Sequence, residues 1–360
     1  MWGASLPASS IIPPRAIIFG LSGPVLTGKE RRFFAASEPL GFILFSRNVD
    51  HPSQVCSLVA ALRDLVGRAD APILVDQEGG RVQRLLPPYW RKAPAAAVFE
   101  PLSTRKEGLA AMAARLNSRL LATELADLGI DVDCAPVADV PVEGAHDIIG
   151  DRAYSHDPKM AALLTRAACD GFLDGGVLPV IKHLPGHGRA RADSHLELPV
   201  VTASVAELEN TDFLPFRALA DMPWGMTAHV VYTAFDSRYP ATLSPRVVGD
   251  VIRRRIGFDG LLLTDDLSMK ALSGDFSART GQAFIAGCDV ALHCNGDLAE
   301  MRAIVAAAPR LSDRAMERLA RGAALRRQRL AAAAPEMDVS RTKAALDGWL
   351  RNWPQREWMP

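Results

Sequence analysis

The most constraining feature of the sequence is a series of short apolar runs that alternate with longer stretches of helical period. Eight such runs are AIIFG (16–20), GFILF (41–45), PILVD (72–76), IDVDCAPV (130–137), VLPVIKH (177–183), WGMTAHVV (224–231), GLLLTDD (260–266) and DVALHCN (289–295). Their length and continuous apolar character are typical of parallel strands buried on both faces. Because helices alternate with them, the pattern predicts an α/β fold, a single (β/α)8 TIM-type barrel. A doubly wound sheet is the alternative, since one sequence does not show whether a sheet closes.

The stretches between the runs have the start and stop signals of helices. Ser53, Asp157, Ser204 and Ser244 precede apolar stripes, and a glycine closes several of them. The predicted helices cover 53–67, 107–129, 157–176, 204–221, 244–257 and 311–331.

The chain of 360 residues has the length of one large barrel. We therefore predict a catalytic barrel over 1–335 and a helical tail over 336–360 that packs on the barrel. The tryptophans of this tail, Trp349, Trp353 and Trp358, are expected to form an aromatic cap on the outside of the barrel. A homodimer contact is a second use for them, so the predicted state is a monomer or weak homodimer.

Charge and cysteine content exclude several classes of protein. Lys+Arg and Asp+Glu both number 41, so no overall field favours nucleic acid or an anionic membrane as a partner. The five cysteines are scattered without a CxxC spacing, which argues against a disulfide framework and a zinc ribbon. The first twenty residues lack the basic region of a secretory signal, and no apolar run has the length of a membrane span. These features predict a soluble, cytoplasmic protein.

Polar residues cluster where the predicted strands end. In a parallel barrel the carboxyl ends of the strands meet at one face, which is where active sites form. The residues at these positions are Asp76, Arg152, Lys182, His183, His229, Asp265 and Asp266. Lys182 ends an apolar strand, where an unpaired ammonium group is unfavourable, so a partner or ligand is expected beside it.

The segment VIKHLPGHGRARADSH (180–195) admits three kinds of site. His183 and His187 have the spacing of a zinc helix, but Pro185 and Gly186 between them prevent that helix, and a barrel metalloenzyme remains only a minor alternative. A phosphate cradle needs a helix after its glycines, whereas LELPVVTAS is typical of extended chain.

Acid/base chemistry fits the same segment better. Asp193 and His195 are two residues apart in a loop, so the carboxylate is able to orient the imidazole. Asp265, at the end of an apolar strand, is the candidate nucleophile or transition-state stabiliser. A carboxylate, a proton donor and flanking cationic groups for hydroxyls together indicate a retaining glycosidase.

Several long motifs in one order also resemble a known family. They are VDQEGGRVQRL (75–85), IIGDRAYSHDP (148–158), KHLPGHGRARADSH (182–195), MTAHVVY (226–232) and IGFDGLLLTDDLSMKAL (256–272). The chain resembles family 3 of the glycoside hydrolases, and within it the bacterial cytoplasmic β-N-acetylglucosaminidases of peptidoglycan recycling. The resemblance spans roughly residues 15–300.

The resemblance implies a two-step retaining mechanism with a covalent glycosyl-aspartate intermediate. Asp265 matches the nucleophile, and His195, held by Asp193, matches the acid/base. The implied substrate is N-acetylglucosamine joined to 1,6-anhydro-N-acetylmuramic acid, with or without peptide, and no cofactor or metal is implied. The implied sugar-binding residues are Asp76, Arg84, Arg152, Lys182 and His183, with His229 near the same pocket.

The loop departs from the commonest family pattern at three positions. Leu184, Arg189 and Ala190 replace a phenylalanine and an Asp-Thr pair, none of them at a catalytic position. Gly186 and Gly188 are expected to give the loop the backbone freedom to bring His195 to the substrate. The roles of His187 and Arg189 stay open. A glycoside phosphorylase is the first alternative function, since a histidine acid/base allows phosphate to replace water, and a catalytically silent sugar sensor is another.

Overall fold

The computed structural model describes residues 12–106, 108–333 and 337–350. Eight parallel strands close into a barrel in the order β1-β8-β7-β6-β5-β4-β3-β2. They are β1 Arg15–Gly20, β2 Pro39–Leu44, β3 Ile73–Val75, β4 Val132–Asp133, β5 Leu178–Leu184, β6 Trp224–Thr227, β7 Leu261–Asp266 and β8 Val290–His293. Each predicted run overlaps one of these strands, so the barrel prediction is confirmed and the doubly wound alternative is wrong.

Alternating residues of the strands face two different cores. Ile18, Leu74, Val180 and Leu263 pack together inside the barrel, whereas Phe19, next to Ile18, packs toward the surrounding helices. Both sets are buried, which explains why the strands are apolar throughout instead of alternating with polar residues. Burial of one such side chain stabilises the fold by about 1.5–3 kcal/mol relative to an exposed position.

Helices on the outside connect the strands. They are α1 Gly28–Ser37, α2 Pro52–Leu65, α3 Leu109–Ala126, α4 Pro158–Asp174, α5 Val205–Asn210, α6 Phe213–Ala218, α7 Phe276–Ala286, α8 Leu298–Ala307, α9 Asp313–Ala332 and α10 Val339–Leu350. A π-helix covers Val247–Ile256. No helix in the part of the chain that the structure describes is long and apolar enough to cross a membrane.

The helix signals in the sequence were correct at some positions and wrong at others. Asp157 and Ser204 cap α4 and α5 as predicted, and Ser204 forms a capping box with Glu207. The cap of α2 is His51, two residues before Ser53, because Pro52 takes the first helical position.

Two predicted helices have a different form. The stretch 204–221 divides into α5 and α6, because the backbone of Thr211 leaves the helical region and the Asp212 side chain turns toward Arg189. The stretch 244–257 is a π-helix, and Gly257 ends it in the left-handed conformation with φ of 85°.

Two segments of the C-terminal part of the chain pack against the barrel: the segment before α9 and the helix α10. The Ala16 N–H donates to the Pro309 carbonyl at 3.0 Å, and the Leu311 N–H donates to the Pro14 carbonyl at 3.0 Å, so the segment before α9 is bound to β1. In the tail, α10 packs on α3 through the buried Leu346. Trp349 is partly buried against the same cluster, while Trp353 and Trp358 lie outside the described residues, as do residues 1–11.

Candidate active site

A cavity of about 440 Å³ opens at the carboxyl end of the barrel. Its apolar floor includes Ile43, Met226 and Leu292, which belong to three barrel strands. Seven of the nine predicted site residues line this cavity: Asp76, Arg84, Arg152, Lys182, His183, His195 and Asp265. The barrel therefore brings together side chains that are almost 190 positions apart in the sequence, and the apolar floor excludes water from one side of them.

One wall of the cavity is a chain of buried and half-buried ion pairs that we call the strand-end network, formed by Asp76, Glu78, Arg84, Arg152 and Lys182. The Lys182 Nζ lies 3.0 Å from Asp76 Oδ1 and 2.7 Å from Glu78 Oε1. The Arg84 Nη2 lies 3.2 Å from Asp76 Oδ2. Arg152 forms a bidentate salt bridge with Glu78, in which Nε and Nη2 each lie 2.9 Å from a carboxylate oxygen. Lys182 thus has the acidic partners that were expected for an ammonium group at the end of an apolar strand.

The network is charged at neutral pH. Burial favours neutral carboxyl groups, but the cations of Lys182 and Arg84 hold the pKa of Asp76 well below its usual range. In the same way, Arg152 and Lys182 outweigh burial and lower the pKa of Glu78 to about 2. Burial disfavours the ammonium form of Lys182, yet the two carboxylates raise its pKa. All these groups are therefore fixed, ionised hydrogen-bonding partners for a polar ligand.

His183 is oriented by a carboxylate that the sequence did not single out. The Asp139 Oδ2 lies 2.7 Å from the His183 Nδ1, and Asp139 Oδ1 accepts the backbone N–H of His187 at 2.7 Å. Although burial opposes ionisation, His183 lowers the pKa of the fully buried Asp139. With Nδ1 occupied in this way, the Nε2 of His183 is the ring nitrogen available to a ligand.

Asp265 and Asp266 end β7 but have different surroundings. Asp265 lines the cavity, and its Oδ1 accepts the backbone N–H of Asp266 at 2.8 Å. Burial raises the pKa of Asp265, but the neighbouring imidazoles of His229 and His183 outweigh it and keep the pKa below its usual value. Asp265 is therefore an anion facing the cavity, as a nucleophile requires.

The carboxylate of Asp266 is occupied by the protein itself. Its Oδ1 accepts the N–H groups of Ser268 and Cys294 at 3.0 and 3.1 Å, and its Oδ2 accepts the Ser268 hydroxyl at 2.6 Å. These bonds join the ends of β7 and β8, which assigns Asp266 a structural task.

His229 does not belong to the described residues that line the cavity. Its ring is fully buried between the Thr242 hydroxyl, 2.7 Å from Nδ1, and the Asp266 carbonyl, 3.0 Å from Nε2. Because burial lowers its pKa, the imidazole is neutral at pH 7. Both ring nitrogens are thus occupied by the protein, and the bond to the Asp266 carbonyl holds the end of β7.

Asp193 and His195 form a pair on the loop above the cavity. The Asp193 Oδ1 accepts the backbone N–H of His195 and lies 2.8 Å from its Nδ1. Burial opposes ionisation, but these hydrogen bonds from His195 lower the pKa of Asp193. The His195 side chain is 58% exposed, so it has room to exchange protons with a ligand or solvent.

Two members of the site, Glu78 and Asp139, were missed in the sequence. Glu78 belongs to the QEGG turn that follows Asp76, and Asp139 follows the run that contains β4. Glu78 could have been found because Lys182 needs acidic partners. Asp139 could have been found because it is an acidic residue beyond a strand end.

Metal ligation has no geometric support among the described residues, since no group of three or more His, Cys, Asp or Glu side chains there is arranged to hold an ion. The rings of His183 and His187 meet edge to face with centroids 5.6 Å apart, and Asp139 occupies the Nδ1 of His183.

A (β/α)8 barrel with a half-buried anionic carboxylate, an Asp–His pair on an exposed loop and an ionised wall for hydroxyl groups defines a glycosidase of the barrel class. The glycosyl hydrolase family 3 N-terminal domain matches residues 29–325. The chain belongs to this family and is a glycoside hydrolase.

Relatives and solved structures agree with this membership. A β-hexosaminidase of Methylococcus capsulatus is 42% identical over 282 residues, which is 77% of this chain and 82% of the relative. A β-hexosaminidase of Pseudomonas aeruginosa is 38% identical over 309 residues, or 85% of this chain and 90% of the relative. The crystal structure of NagZ from Neisseria gonorrhoeae in complex with N-trifluoroacetyl-D-glucosamine is similar with a TM-score of 0.83 and 32% identity, covering 94% of this chain and 99% of that chain.

Proposed function

We propose that the protein is a retaining exo-β-N-acetylglucosaminidase that acts on peptidoglycan fragments in the cytoplasm. The observation on which this proposal depends is that Asp265 and His195 line the same cavity as the strand-end network. The names of the relatives and the sugar derivative in the gonococcal structure support N-acetyl-β-hexosaminides as the substrate class.

The geometry supports a definite division of tasks. The anionic Asp265 attacks the anomeric carbon and forms the glycosyl-aspartate, while protonated His195 gives its proton to the leaving oxygen. Neutral His195 then removes a proton from water, which releases the sugar and restores the carboxylate. Asp193 orients His195 and stabilises its protonated form through the 2.8 Å contact with Nδ1.

The strand-end network and His183 are the groups proposed to hold the sugar hydroxyls. Asp76 and Glu78 accept hydrogen bonds, Arg84, Arg152 and Lys182 donate them, and the ion pairs hold all five in place before a ligand arrives. Such preorganisation orients a terminal sugar without a large loss of side-chain freedom on binding.

The experiment is incubation of the purified protein with N-acetylglucosaminyl-1,6-anhydro-N-acetylmuramic acid, with and without its stem peptide, and with and without phosphate. We expect free N-acetylglucosamine in all four reactions, released first as the β-anomer in NMR spectra. Absence of cleavage would overturn the proposed function. If phosphate diverts the product to N-acetylglucosamine 1-phosphate, the chain is instead a phosphorylase, the alternative that its histidine acid/base allows.

A further inference from the structure

The first half of the loop between β5 and the Asp193–His195 pair is fixed to the barrel. The Tyr232 hydroxyl donates to the Gly186 carbonyl at 2.6 Å, and the Arg189 Nε donates to the buried Asp212 at 2.6 Å. A Cβ at Gly188 would lie 2.0 Å from the Val140 carbonyl oxygen. The glycines therefore allow close packing at the base of the loop, and the expected freedom of movement does not begin there.

The second half of the loop is held at one residue. Among residues 191–197, Ser194 alone is buried, with 3% of its surface exposed. Its hydroxyl lies 3.1 Å from the His187 Nε2, and its carbonyl accepts the Ala271 N–H at 3.3 Å. Ser194 stands between the two members of the Asp193–His195 pair, so its position determines where both side chains project.

His187 provides a rigid attachment point for this serine. Its backbone N–H donates to Asp139 at 2.7 Å, and its ring packs edge to face on His183. Burial and the nearby His183 lower the pKa of His187 to about 4, so the imidazole is neutral at pH 7. The Nδ1 has no hydrogen-bond partner in the described part of the chain, which leaves Ser194 as the partner of this side chain there.

We propose that His187 and Ser194 are positioning residues whose hydrogen bond, the His187–Ser194 latch, holds the Asp193–His195 pair over the cavity. The inference rests on the proposed function, because it concerns how His195 reaches the leaving oxygen. Arg189 fixes the loop base, and release of Ser194 from His187 lets the residues beyond Ala190 swing away. His187 and Ser194 also line the cavity, and the latch controls proton donation by fixing the position of His195.

The test compares two leaving groups in one set of variants. Phenyl N-acetyl-β-glucosaminide needs a proton donor, whereas the 2,4-dinitrophenyl analogue leaves without one. For Ser194→Ala we expect kcat/KM on the phenyl substrate to fall roughly two- to twelve-fold, the effect of one hydrogen bond, with little change on the dinitrophenyl substrate. In a His187→Phe background, Ser194→Ala should have no further effect, because the latch is already broken.

A control separates the latch from general stability. Thr280→Val removes a buried hydroxyl that donates to the Phe276 carbonyl in α7, away from the cavity, and should leave the ratio of the two rates unchanged. Ser194→Thr keeps the hydroxyl and should keep the wild-type ratio.

Three results would overturn the proposal. They are equal losses on both substrates for Ser194→Ala, no loss on either, or the same Ser194→Ala effect with and without His187. Each of these leaves the proposed function intact as long as the wild-type protein cleaves both substrates. A wild-type protein that cleaves neither would overturn the proposed function and the latch with it.

Discussion

The strand-end network and the Asp193–His195 loop face the same cavity but are held in opposite ways. Lys182 is 3% exposed and has two carboxylate partners, whereas the His195 side chain is 58% exposed and is paired with a neighbour on its own loop. The groups proposed to bind the sugar are thus rigid parts of the barrel. The proposed proton donor is held by a few local hydrogen bonds.

Because of this difference, substitutions in the strand-end network should lower stability, whereas substitutions in the loop should lower activity. Breaking a buried ion pair leaves a charge without a partner in a medium of low polarity, which destabilises the fold. Removing an exposed loop side chain leaves nothing unpaired in the interior, so the fold is unaffected. Substitutions in the two regions should therefore have different signatures, and the following experiments test that expectation.

The largest expected effect is on the proposed nucleophile at the strand end. In Asp265→Asn the side chain keeps its volume but loses the anion, and we expect kcat on 4-nitrophenyl N-acetyl-β-glucosaminide to fall by roughly four to six orders of magnitude. Asp266→Asn is the matched control, because it weakens the hydrogen bonds to Ser268 and Cys294 and should mainly lower the melting temperature. Wild-type turnover by Asp265→Asn would disprove its assignment.

The second effect is on the loop. For His195→Ala we expect kcat/KM on a phenyl glycoside to fall by roughly 10²- to 10⁴-fold, because the leaving oxygen loses its proton donor. The free energy of unfolding should change by less than about 0.5 kcal/mol, since the side chain is exposed. Urea denaturation and steady-state kinetics measure the two quantities, and a large loss of stability would contradict the contrast between the regions.

The third effect concerns the stability of the strand-end network. In Glu78→Gln the carboxylate between Lys182 and Arg152 is replaced by a neutral amide, and we expect the free energy of unfolding to fall by about 3 kcal/mol. The control is Asp250→Asn, which removes the exposed pair between Asp250 and Arg254 and should change stability by at most about 0.5 kcal/mol. Similar losses in both variants would show that the buried network has no special weight.

The smallest effect is in the pH dependence of stability. The pKa of Glu78 is lowered from 4.5 to about 2 in the fold, so the unfolded chain takes up this proton first as the pH falls. The stabilisation by the ionised Glu78 is complete above the unfolded-state pKa of 4.5 and is lost as the pH falls toward the folded-state pKa of about 2. Over that window, the wild-type curve should be steeper than that of Glu78→Gln by up to about 1.4 kcal/mol per pH unit, the effect of one proton.

The loop provides the control for this titration. Asp193 also has a lowered pKa, but its partner His195 is largely exposed and solvent screens their interaction. Asp193→Asn should therefore leave the acid limb of the curve close to wild type. Urea midpoints between pH 6 and pH 3 compare the three proteins, and a flattened curve for Asp193→Asn would contradict the contrast.

The sequence predicted the barrel well because its strands are apolar on both faces. Every predicted run overlaps a barrel strand, although the run at 130–137 has only Val132–Asp133 in regular pairing. Predictions failed where a distant contact decides the local form. The stretch 204–221 is divided at Thr211 and Asp212, where the Arg189 side chain reaches Asp212 across 23 positions of sequence.

The same limit applied to the candidate site. Residues at strand ends were found because the barrel places all such ends at one face. Glu78 and Asp139 were missed because the role of each depends on a contact with a residue of another strand end. Glu78 pairs with Lys182, and Asp139 pairs with His183. The task of Gly188 was also misjudged, since only the fold shows the Val140 carbonyl that leaves no space for a side chain.

The hydrogen bonds between β1 and the segment before α9 have a consequence for biosynthesis. On the ribosome, β1 emerges early, but its partner β8 emerges about 275 residues later and the Pro309–Leu311 segment almost 300 residues later. Until then one edge of this strand, which is apolar after Arg15, lacks its partner, and such edges promote aggregation. A nascent chain that stalls or is truncated before Leu311 therefore keeps this edge open to misassembly.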